Sequence, residues 1–155
     1  MRLSRALIAG ATAGLAGTAT MTLAEKLEQL VTKRPDSYVP ARTLAHLVRL
    51  PKPDRDDWMR NMAMHYGTGV LVGTVRGVMA EAGLRGPQAA LLFTPLRLTV
   101  DQTLENATGV GSPPWTWPRG ELVIDVAHKA VYALAAGAVA DRLTRRRIPG
   151  RRRPV

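Results

Sequence analysis

Residues 6–24 read ALIAGATAGLAGTATMTLA, a run without a formal charge that follows directly on Arg2 and Arg5. As a helix rising about 1.5 Å per residue, the run reaches roughly 28 Å, close to the thickness of a bilayer's hydrocarbon core. It predicts a membrane anchor. Gly10, Gly14 and Gly17 lie three or four residues apart within it, so small side chains share one helix face and a second backbone can come close. From Leu23 the pattern becomes amphipathic, with Leu23, Leu27, Leu30 and Val31 on one side and Glu25, Lys26 and Glu28 elsewhere. The helix is therefore expected to continue past the membrane surface. A secretory signal is the competing reading of this start, with residues 1–5 as its basic region. The run's length, the lack of a small-x-small cleavage site before charged sequence, and the direct passage into helical periodicity favour a retained anchor.

Three further segments repeat the theme. Residues 62–82 carry Gly69, Gly73 and Gly77 in a second small-xxx-small series, with Arg76 near the end, where its long stem is expected to reach the headgroups. Residues 88–104 are apolar but interrupted by Pro95, Arg97 and Asp101, so they either cross with polar residues inward or lie along the surface. Residues 122–140 are rich in Ala and Val. Between the first two spans, the polar region 33–60 is broken by Pro35, Pro40, Pro51 and Pro53. A short helix fits residues 41–50, with Leu44, Leu47 and Val48 on an interface and Arg42, His46 and Arg49 facing water. Residues 109–120 hold Trp115 and Trp117 among prolines, a rigid turn whose indoles suit the membrane interface as anchors.

The whole-chain averages are those of an ordinary soluble protein: 155 residues, 46% hydrophobic, mean hydropathy −0.06. They mix apolar segments with the polar regions 33–60 and 142–153, which dilute them. A net charge of +10 would ordinarily suggest nucleic acid. Here Arg142, Arg145, Arg146, Arg147, Arg151, Arg152 and Arg153 follow the last apolar helix, where they read as a cytoplasmic topology signal. Nucleic-acid binding is accordingly the lesser reading. Four spans place both termini inside, with the Arg85 turn inside and 33–60 outside. The seven Lys and Arg residues of that loop run against the positive-inside rule.

The absence of cysteine excludes disulfides, thiolate metal sites and cysteine nucleophiles. No GxSxG, GxxxxGK, HExxH or dinucleotide-binding glycine pattern is present, so neither an enzyme nor a cofactor is expected. The polar residues inside the spans are the candidates for function. Glu121, Asp125, His128 and Tyr132 follow at steps of four, three and four, and at 100° per residue they form one stripe. Arg97, Asp101 and Glu105 form a second. Unpaired charges facing lipid would cost several kcal/mol, so both stripes should point into the bundle. Antiparallel crossing brings Arg97 near the depth of Asp125, which predicts an interhelical pair, unless Lys129 pairs with Asp125 within its own helix. The result is a structural polar network or, alternatively, a proton or ion relay. His65 and His128 on different spans could clamp a haem, without any supporting motif.

Gly17-Thr18 and Met21-Thr22 in 14–25, the segment 65–73, and Glu121, Asp125 and His128 before a basic tail resemble the YagU-like small inner-membrane proteins of bacteria and related four-span proteins. The resemblance implies an inner-membrane location and a part in acid tolerance, and it names no catalytic residue. The expectation is an all-α bundle of four transmembrane helices. It forms one domain over 1–141 with an arginine-rich cytoplasmic tail at 142–155. It acts through helix packing, alone, as a homo-oligomer, or as an accessory subunit of a larger membrane complex; the alternatives are the proton or ion relay and a peripheral basic protein with a cleaved signal.

Overall fold

The computed structural model describes residues 3–145, and among these the chain is all-helical. Five α-helices follow in order: α1 (Leu3–Thr32), α2 (Val39–Leu47), α3 (Trp58–Glu81), α4 (Gly86–Ala107) and α5 (Arg119–Thr144), with one 3-10 turn at Pro114–Thr116. Arg2 and most of the expected arginine tail, from Arg146 onward, lie outside the described residues. The four long helices fall on the four expected spans and extend each of them. Of these, α1 and α5 are long and apolar enough to cross a membrane. Within the most apolar window of α5 only 22% of residues are buried, unlike a helix at the centre of a soluble core.

Local chemistry sets the helix ends. The Asp57 carboxylate accepts the Arg60 N–H at 3.1 Å and caps α3. Pro87 stands in the first turn of α4, where its missing N–H costs nothing. Gly83 and Gly86, at φ of 97° and 85°, supply the left-handed backbone that turns α3 into α4. Pro95 does not break α4, which continues on both sides of it. The short helix forms at 39–47 rather than 41–50, and its buried positions are Ala41, Thr43 and Ala45, while Leu47 and Val48 are exposed. Asn61 holds it to α3 by accepting the Ala41 N–H at 3.0 Å and donating to the Ser37 carbonyl at 3.2 Å. Lys26 donates to Asp36 and holds that carboxyl below its usual range, pinning the loop to the end of α1.

Helix α1 packs extensively on α3 and α5, which also touch each other, and α4 completes the bundle chiefly against α5. The two glycine series meet face to face. A Cβ on Gly10 would stand 2.5 Å from the Gly73 carbonyl oxygen, and one on Gly73 would stand 2.5 Å from the Gly14 Cα. Gly77 faces Ala6 and Gly10, Gly69 faces Thr18, and Gly17 faces Tyr132 and Ala136 on α5. The interior is otherwise small, made of residues such as Ala13, Ala80, Ala133, Ala136 and Ala140. The largest fully buried side chains are Arg76, Arg97, Tyr132 and Phe93. Large aliphatics point outward on all four long helices, with Ile8 and Leu71 both 69% exposed and Leu92 75%. Charge inside and leucine outside is the reverse of a water-soluble bundle.

Arg76 corrects one expectation. It does not reach toward headgroups: it is fully buried, and its Nη2 donates to Asp141 Oδ1 at 2.7 Å. Nη1 donates to the Leu84 carbonyl at 3.2 Å, and Asp141 Oδ2 accepts the Gly86 N–H at 2.7 Å. A single carboxylate thus ties α5 to α3 and to the first residue of α4. Arg85 adds a bond to the Thr144 carbonyl at 3.1 Å, and Arg5 reaches the Leu143 carbonyl at 2.8 Å. The chain's two described ends and the α3–α4 turn therefore lie at one end of the bundle.

Candidate functional site

The opposite end opens into a cavity of about 490 Å³. Its walls come from the second half of α1, from α2, the first turns of α3, the last turns of α4, the 109–118 loop and the first half of α5. Both predicted stripes line it: Arg97, Asp101 and Glu105 from α4, and Glu121, Asp125 and His128 from α5.

At its floor, Arg97 is 1% exposed and lies with its Cζ 5.0 Å from the centre of the Tyr132 ring, a cation–π contact. Tyr132 stacks on Phe93 at 6.1 Å and donates its hydroxyl proton to the Gly69 carbonyl at 2.6 Å. That bond joins α5 to the middle of α3 beside the glycine seam. Tyr132→Phe removes it with little change in shape and should lower stability by about 1 kcal/mol, read from the detergent melting curve.

The expected Arg97–Asp125 pair is not the one that forms. Arg97 Nη2 pairs with Asp101 on its own helix at 3.2 Å and donates to Thr68 Oγ1 at 3.3 Å. Lys129 makes the link between helices, 2.5 Å from Asp125 and 3.5 Å from Asp101. The guanidinium sits one turn too deep and stays with the carboxylate directly above it, while the Lys129 stem is long enough to bridge α5 and α4. Charges therefore alternate as Arg97, Asp101, Lys129, Asp125. The pairing is incomplete: Arg97 Nε and Nη1 and Asp125 Oδ2 are buried without a hydrogen-bond partner. Leaving such a group unmet costs about 1–3 kcal/mol.

Toward the mouth, acid dominates. Five of the chain's 12 acidic residues line the cavity but only three of its 22 basic ones do. Glu25 and Glu105 are half-buried and Glu121 is exposed. Arg34, the remaining basic residue, pairs with Glu28 at 3.5 Å. His65 and His128 both face the cavity. Thr22 Oγ1 lies 2.9 Å from the Thr18 carbonyl and 3.1 Å from His65 Nε2. Among the described residues no three His, Asp or Glu side chains are placed to hold a metal ion.

Compared with protein-family models, curated proteins and solved structures, the chain finds no match.

The site therefore rests on its own geometry. Of the expected interface anchors, Trp115 is 84% exposed, whereas Trp117 lines the cavity and donates Nε1–H to the Ser112 carbonyl at 2.8 Å. The roles of Glu25, Arg34 and Thr68 were not predicted. Glu25 lay in plain view one residue beyond the uncharged run, but only the packing of α1 against α3 and α5 turns it toward the stripes.

Proposed function

We propose that the chain is a small integral membrane protein whose four long helices cross the bilayer. They pack through glycine seams around a polar cavity open on one side. The observation that carries this is the inverted distribution of residues. Arg76 and Arg97 are buried at 0% and 1% exposure, while large apolar side chains stand exposed on the outside of α1, α3, α4 and α5. Lipid accepts that outer surface, and a bundle interior is where intramembrane charge is placed. The more polar helices α3 and α4 then cross with α1 and α5 because they are packed against them along their lengths. α1 makes the two most extensive helix interfaces, against α3 and α5, which favours its retention over removal as a signal.

In this reading the termini and Arg85 face the cytoplasm of a bacterial inner membrane, and the cavity faces the other side. No enzymatic step is assigned. The protein acts by packing and by what the cavity holds, alone or as an accessory subunit. A relay is the second reading, favoured by a second polar layer at Arg76 and Asp141. Nine residues of α5, about 14 Å, separate Tyr132 from Asp141. Buried Val72, Ala90, Ala133 and Ala136 fill the bundle between the layers, so a relay requires the helices to part.

The chain's lack of cysteine makes the test direct. After carbonate extraction the protein is expected in the membrane pellet. A single cysteine at Ser112 should react from outside intact cells with a membrane-impermeant thiol reagent, and one at Ala136 should not. Release by carbonate ends the membrane reading. Proton flux in proteoliposomes that Asp125→Asn abolishes would move the assignment to a relay.

A further inference from the structure

The unmet groups in the cavity are of opposite kinds. Arg97 offers two buried donors, Nε and Nη1, and Asp125 offers one buried acceptor, Oδ2. Both residues line the same space. On α4, Arg97 lies one turn below Asp101, about 6 Å along the axis, and Lys129 draws Asp101 and Asp125 together at that upper level. The donors are therefore at the floor and the acceptor about one turn above.

We propose that the cavity binds a small zwitterion, a solute with one carboxylate and one ammonium group, the carboxylate meeting Arg97 and the ammonium meeting Asp125. This rests on the one-sided cavity described above. A cation alone leaves the Arg97 donors unmet. An anion alone must pass Glu25 and Glu121, whose charge repels it, whereas a zwitterion enters with its ammonium drawn by the same carboxylates. Direct coordination of a metal ion is not offered by any group of side chains among the described residues. The mixed lining favours an organic solute, since Met21, Met62 and Met64 supply soft apolar wall between the charges.

The test is isothermal titration of the full-length, detergent-purified protein with four probes: glycine, 4-aminobutyrate, acetate and ethylammonium. At least one zwitterion is expected to bind tenfold or more tightly than either single-charge probe. Asp125→Asn and Arg97→Lys should each weaken it tenfold or more, while Trp115→Ala, outside the cavity, should leave it unchanged. The wild-type panel decides even where a variant fails to fold. Equal or tighter binding of acetate or ethylammonium overturns the proposal. So does the absence of binding by all four probes while a cysteine at Ser112 is labelled, which means an open cavity holding water alone. If that cysteine is not labelled, the cavity reading itself fails and the proposal with it.

Discussion

Asp141→Ala is expected to destabilise the bundle by about 3–5 kcal/mol, because it leaves the Arg76 guanidinium buried with no counter-charge. The side chain of Arg76 is fully buried and that of Asp141 is 13% exposed, so water screens the pair little. The loss extends beyond one bond, since Asp141 also accepts the Gly86 N–H where α4 begins. Unfolding curves of Asp141→Ala, Arg76→Leu and the double variant Arg76→Leu/Asp141→Ala separate the contributions. If the penalty is that of an orphaned charge, the double variant should recover more than half of what Asp141→Ala loses. A double variant as unstable as the single one would show that the tie to Gly86 matters more than the charge.

Gly73→Leu should be comparably damaging, at about 3 kcal/mol or more, through overpacking. A Cβ there meets the Gly14 Cα at 2.5 Å, the Gly10 carbonyl at 2.6 Å and the Gly14 nitrogen at 2.8 Å. All three are backbone atoms and none can rotate away. Helices α1 and α3 must separate, and Gly69, on the same seam, carries the carbonyl that anchors Tyr132. The matched control is Gly67→Leu on the same helix, where an added Cβ meets nothing within 4 Å. It should be neutral or slightly stabilising, because leucine is the better helix former. Melting temperatures of the pair check both outcomes, and equal behaviour would remove the seam from the account of stability.

The contrast between what could and could not be read in advance has physical reasons. Both glycine series were legible because a small-xxx-small spacing places its consequence on one face of one helix. The stripes 121–132 and 97–105 were legible for the same reason: Arg97, Asp101 and Tyr132 are buried, Glu105, Asp125 and His128 are half-buried, and Glu121 is exposed. Pairings between elements were not. Lys129 and Asp101 are distant in the chain, and nothing in either stripe shows which cation reaches across. Arg76 looked like a headgroup contact because an arginine near a span's end normally reaches outward. Its partner, Asp141, lies 65 residues away at the far end of α5. The cavity's rim depended on how 33–60 and 109–118 fold over the bundle, which periodicity does not describe. The four-span expectation was read from apolar runs, and of the four helices on those runs only α1 and α5 are long and apolar enough to cross a membrane.

The packing of α1 on α3 and α5 has a bearing on how the chain is made. The helix synthesised first has its closest partners in α3 and α5, so its glycine face waits for residues 69–77 and then for residues 132–136. In a bilayer, as proposed above, that face has until then only lipid or the insertion machinery beside it. Pairing of α1 with α3 can proceed as soon as residue 81 is in place, whereas Arg76 lacks Asp141 until the last helix arrives. The charged interior is thus closed late, by the final segment, and a chain truncated before α5 should persist as a glycine-paired intermediate carrying an exposed arginine, a form well suited to recognition by quality-control proteases.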